Sequence, residues 1–412
     1  MDNPSKQVWI TGIGLLSAAG EGVASHLDAL DNAAGAPLID AQGFAPYPIH
    51  PLASINMAAQ IPKKSDLRQM EKWQHIGVYA AGLALDDAGI ARNPELLGKT
   101  HLVVAAGSGE RDATVDAKVL EAIAARGDTD TEISAKEILP TALRPTLFLA
   151  QLSNLLAGNI SIVHNVTASS RTFMGEEMAG LSALENAVRR IAAGQADLIL
   201  VGGALNAERK DLLLGYELGC NLWSHPYAPV WQRRAAGGGF IPGSAGAFIV
   251  LESSEHAKAR GASPYARVVS VGTDRAQRTE PGQIRRVLQQ LFKRISASLS
   301  PEPIAVLSGA SGVEPVTQEE RDFLDDLESD GFTPAIRAYG SRLGHTVEAH
   351  FPLGISIGAL ALSRNQLFAP SPGDDVEEAV SSLPQRMLVT GVGHWHGEGL
   401  ALLERVNGGR VS

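Results

Sequence analysis

The chain has 412 residues, of which 44% are hydrophobic and 19% charged, a composition typical of a globular protein with one large domain or two similar halves. Its net charge of -10 argues against a nucleic-acid or anionic-membrane partner. No apolar stretch reaches the roughly 18 residues that span a bilayer, and no leader pattern stands at the start, so we expect a cytoplasmic protein. The single cysteine, Cys220, excludes an internal disulfide, and we expect it to be buried rather than nucleophilic.

Short apolar runs that end in glycine alternate with helical patterns in the first half of the chain. The runs VWITGIGLL, THLVVAAGSG and ADLILVGGA predict strands, and ISIVHN and SRTFMG are further short apolar runs. Helices are predicted near Gly22–Asn32, Glu71–Ala88 and Met178–Ala193. This alternation favours a layered α/β fold.

The same pattern restarts after a boundary near Leu251. YARVVSVGTD, PIAVLSGASG and RMLVTGVGHW predict strands, and helices are predicted near Gly282–Ser298, Thr317–Leu327 and Phe351–Leu362. Because the second half is a looser copy of the first, we predict two related halves, residues 1–250 and 251–412.

Two weak motifs suggest cofactor or metal sites. Paired glycines end three predicted strands, but none has the complete G-x-G-x-x-G spacing of a dinucleotide site, so we predict no cofactor. His394 and His396, two positions apart on an extended segment, point the same way and suggest a metal. No further ligand stands out in the sequence, so we favour a structural role and predict no metal site.

Several segments, in this order and over nearly the whole chain, resemble the β-ketoacyl-ACP synthases, the condensing enzymes of fatty-acid and polyketide assembly. They are VWITGIGLLSAAGEGV, MEKWQHIGVYAAGLALDDAGI, AGNISIV, IAAGQADLILVGGA, GGGFIPGSAGAFIVLESSEHAKARGASPYARVVSVG and SRLGHTVEAH. The resemblance implies a thiolase-like five-layer αβαβα fold, two related halves and a dimer.

This family needs a cysteine at a strand-to-helix turn, where backbone N–H groups favour the thiolate. The tetrapeptide TASS looks like the family's T-A-C-S, with Ser169 as the nucleophile, but Ser169 would require two compensating shifts of eight residues. The family's spacing instead places the cysteine on Glu177 in MGEEMAG, and a displacement by one residue to Glu176 stays open. The glycines that anchor this spacing are Gly158, Gly180 and Gly194.

Two further catalytic positions of the family are also changed. The family's first histidine, in N-A-H-G-T-G-T, falls on Gly309 of LSGASGV, and the lysine of K-S-x-x-G-H falls on Gly340 of GSRLGH. The second histidine is retained as His345. Its neighbour His350 is predicted to be ordinary surface or packing.

The residues that deliver the substrate in this family differ as well. Ser311 and Val313 stand where threonines usually contact the pantetheine arm, and Val392 stands where a gating phenylalanine would sit. Scattered basic residues are a weak indication of a docking surface for an acidic carrier protein. They are Lys63, Lys64, Arg68, Arg209 and Lys210.

A carboxylate cannot replace the thiolate as an acyl carrier, because its acyl product is a hydrolytically labile mixed anhydride. The resemblance therefore implies a chain-length-factor-like subunit, which lacks the cysteine, pairs with an active ketosynthase and shapes its acyl tunnel. The acyl carrier protein, with its 4′-phosphopantetheine arm, would be reached through that partner. Two alternatives remain: a homodimeric decarboxylase or acyltransferase that uses Glu177 and His345 as an acid/base pair, and a non-catalytic acyl-binding homodimer.

Overall fold

The computed structural model describes most of the chain, and strands from both halves form one sheet. The described residues are 5–32, 35–126, 131–144, 146–147, 151–296, 299, 301–373, 375–380 and 382–410. The strands are β1 (Val8–Ser17), β2 (Gly20–Glu21), β3 (His101–Ala105), β4 (Ser170–Phe173), β5 (Leu198–Leu205), β6 (Ala245–Ser253), β7 (Ala266–Asp274), β8 (Pro303–Ser308), β9 (Thr333–Ala338), β10 (Arg386–Val392) and β11 (Glu398–Glu404).

The strand order repeats itself between the two halves. It runs β4-β3-β5-β6-β1-β7-β11-β10-β8-β9, with β2 paired to β1 alone. Counted outward from the junction, the order β1, β6, β5, β3, β4 is matched by β7, β11, β10, β8, β9. Strands β1 and β7 are joined through only three residue pairs, centred on Trp9 and Arg267. The two related halves predicted from the sequence are therefore visible in the topology.

The helices complete the layers of the fold. They are α1 (Gly22–Asp31), α2 (Lys64–Gln69), α3 (Lys72–Asp87), α4 (Pro94–Lys99), α5 (Ala113–Arg126), α6 (Thr131–Ala142), α7 (Leu155–His164), α8 (Glu177–Ala192), α9 (Lys210–Leu218), α10 (Ser254–Ala259), α11 (Gln283–Ile295), α12 (Val316–Ser329), α13 (Gly340–Leu343) and α14 (His350–Arg364), with short 3₁₀ turns at Met57–Ala59, Val230–Ala236 and Val347–Ala349.

Three hydrophobic cores separate these layers. The central core contains α8 and α14 together with strand residues of both halves. One outer core lies between the first half of the sheet and helices α3 and α7, and the other between the second half and helices α11 and α12. Helix α14 is buried on nearly all sides, which explains its almost uninterrupted apolar sequence. The predicted thiolase-like five-layer fold is confirmed.

Two details go beyond the predicted elements. The short apolar run ISIVHN forms the end of α7, because Leu156 and Ile160 pack against the neighbouring helix α3 and this contact overrides the β propensity of isoleucine and valine. The predicted domain boundary at residues 250/251 falls inside β6, which ends at Ser253, and the division into domains stays a prediction.

The described helices were also searched for membrane spans. None of them combines the length and the apolar character needed to cross a bilayer.

Candidate active site

The site is built around the turn that joins β4 to α8. The strand ends at Phe173 and the helix begins at Glu177. Between them Gly175 has φ 123° and Glu176 has φ 54°, so the chain reverses within three residues. This turn places the Glu177 carboxylate at a helix N-terminus, where backbone dipoles favour a negative charge. A strand-to-helix turn at this position agrees with the sequence prediction.

Two histidines from the second half of the chain contact Glu177. Its Oε1 atom lies 2.6 Å from Nε2 of His345 and 2.7 Å from Nδ1 of His394, and it also accepts the backbone N–H of His394 at 3.1 Å. All three residues are buried, with side-chain exposures of 1–4%. The structure thus brings together the two residues that the sequence paired, Glu177 and His345, and adds His394.

The charges in this cluster follow from burial and from the contacts. Burial alone raises the pKa of a carboxyl, but the charge of His394 and the hydrogen bonds from both imidazoles hold the pKa of Glu177 well below its ordinary value. Burial lowers the pKa of His345. Burial also opposes ionisation of His394, yet the neighbouring carboxylates of Glu177 and Glu176 raise its pKa. These shifts favour the ionised form of Glu177, the protonated form of His394 and the neutral form of His345.

Gly309 and Gly340, which the resemblance places at two catalytic positions of the family, lie near the cluster but differ in the space around them. Gly309 follows β8, and its N–H donates to Oγ1 of Thr390 at 2.9 Å. A Cβ atom on Gly309 would lie 2.5 Å from the carbonyl oxygen of Thr390, closer than real Cβ atoms approach, so the backbone excludes any side chain there. Gly340 begins α13, and a Cβ on it would meet its nearest neighbours at 3.4–3.6 Å, an ordinary contact distance.

His350 lies inside the site rather than on the surface. Its ring centroid is 4.3 Å from that of His345, and its Nε2 atom lies 3.2 Å from the carbonyl oxygen of Gly309. Burial holds the pKa of His350 well below its ordinary value, so the ring is neutral. Of the two predicted alternatives, surface or packing, the structure shows packing, because α14 begins at this buried residue.

Ser311 and Val392, at one of the pantetheine positions and at the gate position, are buried away from the two cavities described below. Ser311 accepts the backbone N–H of Val313 on Oγ at 3.2 Å and the Arg233 guanidinium on its carbonyl oxygen at 3.3 Å. Val392, the last residue of β10, packs in the outer core of the second half. Of the three family-matched positions in this region, only Val313 lines the cleft described next.

Two adjoining cavities reach the cluster. A cleft of about 1400 Å³ is bordered by Glu176, Arg278 and His394, and a smaller pocket of about 240 Å³ is bordered by Trp73, Glu176 and Glu348. Glu177 and His345 do not border either cavity, since His394 and Glu176 cover them. Access to the cluster is therefore through His394 and Glu176.

Cys220, Ser169 and Arg209 all lie outside the cluster of Glu177, His345 and His394. Cys220 is exposed in the turn after α9, where it has φ 54°, so the expectation that it is buried is wrong. Ser169 lies just before β4, and its hydroxyl is 2.6 Å from Nδ1 of His101 rather than in the cluster. Arg209 is not a surface cation, because it is buried against Asp211 and the carbonyl oxygens of residues 108 and 109.

The sequence missed the role of His394. It was noticed as one of two histidines after a glycine-rich strand end, but no ligand partner stood near it in the chain. The signal that points to it is topological: β10 ends at Val392, so the following GHW segment lies at the same edge as the loop after β8.

The sequence of this chain is similar to that of known proteins over part of its length. Residues 54–257 match the profile of the β-ketoacyl synthase N-terminal domain. The 3-oxoacyl-[acyl-carrier-protein] synthase 2 of Vibrio cholerae is 28% identical over 276 residues, which are 65% of this chain and 63% of that protein. The match therefore spans less than two thirds of this relative. Over residues 54–257, just under half of the chain, the sequence is similar to the β-ketoacyl synthase family.

Solved structures show the same fold over the whole chain. The ishigamide ketosynthase/chain length factor superposes with a TM-score of 0.77 at 21% identity, covering 98% of this chain and 100% of that one. A chain of the AntDE:AntF complex, a type II polyketide synthase acyl-carrier protein with its ketosynthase bound to the hexaketide, superposes with a TM-score of 0.71 at 15% identity over 98% of this chain and 100% of that one. The fold is that of the ketosynthases.

Proposed function

We propose that this chain is a chain-length-factor-type subunit, which pairs with a cysteine-containing β-ketoacyl synthase and shapes its acyl tunnel in polyketide, aryl-polyene or fatty-acid biosynthesis. One observation carries the proposal: an ionised Glu177, held by His345 and His394, begins the helix where the family resemblance places the nucleophile. The chain's one cysteine, Cys220, is exposed in a different turn.

The chemistry of this position supports a subunit that does not condense by itself. An acylated Glu177 would be a mixed anhydride, which hydrolyses too readily to wait for a second substrate. The position of the family's first histidine, Gly309, has no room for a side chain. The nucleophile and one of the two assisting histidines are therefore both missing.

The proposed partners follow from the family. The acyl carrier protein would deliver its 4′-phosphopantetheine arm to the partner ketosynthase, and the two ketosynthase-like subunits would form a cytoplasmic heterodimer. The ketosynthase complexes among the structural neighbours make this assembly a reasonable proposal, although their likeness extends only to the fold.

A second candidate is a homodimeric decarboxylase or acyltransferase in which Glu177 and His345 act as an acid/base pair. Their 2.6 Å contact favours it. The lowered pKa of Glu177 makes it a weak base at neutral pH, however, and neither residue borders the two cavities described above. These two observations favour the subunit role. A non-catalytic acyl-binding homodimer is the third candidate.

The test compares the purified chain alone and mixed with a candidate cysteine-containing ketosynthase. Both samples receive malonyl- and acyl-loaded carrier protein, and decarboxylation, product length and subunit composition are measured. We expect no turnover by the lone chain, a heterodimer in the mixture, and a product length that depends on the presence of this chain. The Glu177→Gln variant keeps the side-chain shape and is expected to leave that product length unchanged.

Two outcomes would contradict the proposal. If the lone chain decarboxylates malonyl-carrier protein and Glu177→Gln abolishes this activity, the acid/base enzyme is correct. If the chain remains a homodimer, binds acyl chains and has no effect on the ketosynthase, the acyl-binding protein is correct.

A further inference from the structure

Glu177, His345 and His394 have the arrangement of a metal-binding group. One nitrogen of each histidine and one oxygen of Glu177 lie within 4.8 Å of one another, and all three residues are buried. They come from the start of α8, the segment after α13 and the segment after β10, so tertiary contacts hold them together. Two imidazoles and one carboxylate form a donor set that binds Zn²⁺ in proteins.

Unpartnered carboxylate oxygens surround this group. The Oε2 atoms of Glu176, Glu177 and Glu348 are all buried and have no hydrogen-bond partner. Burying a carboxylate oxygen without a donor is costly, and three such atoms close together add mutual repulsion. The ion-pair partners that the structure gives Glu176 and Glu177 are histidines. A bound cation would compensate the charge of the Glu177 carboxylate and give the unpartnered oxygens around it a positive partner.

The outer surroundings of the group also suit an ion. Nε2 of His394 lies 3.8 Å from Oε2 of Glu176, so a His394 that binds metal through Nδ1 can direct its other nitrogen towards a carboxylate, the usual arrangement for a ligating histidine. His394 and Glu176 border the large cleft, which provides a route for the ion. Three protein ligands leave a fourth position, as in zinc sites that keep a water or substrate.

Binding requires a small movement and an exchange of protons. The present separations of 2.6 and 2.7 Å are hydrogen-bond distances. Two atoms each about 2.1 Å from a tetrahedral ion lie roughly 3.4 Å apart, so each contact must open by about 0.7 Å. The ion takes the place of the two protons that lie between Glu177 and the imidazoles. The proton on Nδ1 of His394 is released to solvent. The proton on Nε2 of His345 is replaced by one on Nδ1, an atom that has no hydrogen-bond partner in the present structure.

We propose that Glu177, His345 and His394 bind one divalent transition-metal ion. All three ligands come from this one chain, so the site needs no partner subunit. It goes beyond the chain-length-factor-type role and does not depend on it, because its test measures metal binding and no activity.

The experiment uses the full chain, stripped with a chelator and dialysed against Zn²⁺, with bound zinc measured per chain after free ion is removed. We expect about one zinc per chain. Glu177→Gln and His394→Gln should each weaken binding by at least about tenfold. His396→Gln is the matched control, because His396 borders the same cleft two positions away but lies outside the group, and it should bind as the native chain does.

Folding of each variant is checked by circular dichroism, and a second readout uses the native chain alone. Co²⁺ replaces Zn²⁺, and the intense visible bands of a four-coordinate cobalt site should appear and then disappear when Zn²⁺ is added. A native chain that binds less than about a tenth of an equivalent of zinc would overturn the proposal. Equal binding by Glu177→Gln, or a cobalt spectrum identical to that of the free aqueous ion, would overturn it as well.

Discussion

A single carboxylate oxygen, Oε1 of Glu177, accepts hydrogen bonds from two imidazoles and one backbone N–H. The position of Glu177 relative to its flanking glycines could be counted in the sequence, and so could the retained His345. The contact between them could not, because it spans 168 residues of chain. At the scale of one residue, the sequence indicates which side chain is unusual, and the structure shows which groups it contacts.

Gly309 and Gly340, two glycines near the cluster, are predicted to respond differently to substitution by alanine. Gly309→Ala forces a Cβ to 2.5 Å from a backbone carbonyl oxygen, and we expect a loss of roughly 1–3 kcal/mol in the free energy of unfolding. Gly340→Ala is the matched control, because its Cβ would have ordinary contacts at 3.4 Å or more, and the change should stay within about 1 kcal/mol. Urea unfolding of both variants checks this, and equal losses would contradict it.

The helix termini show how neighbouring elements depend on one another. Helix α11 begins after Gly282, which has no side chain to cap it. The carboxylate of Glu319, from the adjacent helix α12, accepts the backbone N–H groups of Gly282, Ile284 and Arg285 at 2.8–3.1 Å. The cap of one helix is therefore supplied by another, and no local sequence signal at Gly282 reveals it.

We predict that Glu319→Ala destabilises the packing of α11 on α12. Three backbone N–H groups lose their acceptor at the positive end of a helix, so the free energy of unfolding should fall by about 1–2 kcal/mol. Glu328→Ala is the control, because Glu328 is exposed near the other end of α12 and should have little effect. Thermal unfolding of the two variants gives the comparison, and a similar midpoint for both would show that Glu319 is not a cap.

Predicted elements that depend on local patterns agree with the structure. Helix α3 was expected near Glu71–Ala88 and spans Lys72–Asp87, since its capping residues and periodicity are local. The run ISIVHN differs because its conformation depends on packing between α7 and α3. The exposure of Cys220 and the burial of His350 likewise depend on which elements lie over them.

At the scale of the whole molecule, Glu348 is a carboxyl buried where the two halves meet. Its side chain lies against the backbone at Gly107, and its main chain lies against Gly180 and Gly203. Burial raises the pKa of Glu348 to about 8, and the charges of Glu177 and Glu176 add to the shift. The folded protein therefore holds a proton at neutral pH that the unfolded chain, with an ordinary pKa of 4.5, releases.

The sign of the pH dependence follows from this difference in bound protons. Between about pH 4.5 and pH 8 the folded state binds more protons than the unfolded state, so the Glu348 contribution to stability falls as the pH rises. Glu348→Gln removes the titrating group. The free energy of unfolding of Glu348→Gln, minus that of the native chain, should therefore rise by on the order of 1 kcal/mol per pH unit from pH 5 to pH 8.

Urea unfolding of Glu348→Gln and the native chain at several pH values tests this dependence. Glu328→Gln serves as the control, because Glu328 is exposed and its difference from the native chain should not vary with pH. A constant difference for Glu348→Gln across the same range would show that Glu348 is ionised in the folded protein.

The sequence by itself determined the layered α/β fold and the repeated halves, because periodicity and glycine spacing are properties of the linear chain, and through the family resemblance it predicts that Glu177 replaces the family's cysteine. The tertiary structure decided that Glu177 is held between His345 and His394, that Gly309 has no room for a side chain and that the Glu348 side chain is buried with its Oε2 atom unpartnered. These features arise where segments more than a hundred residues apart meet, and local propensity does not specify such contacts.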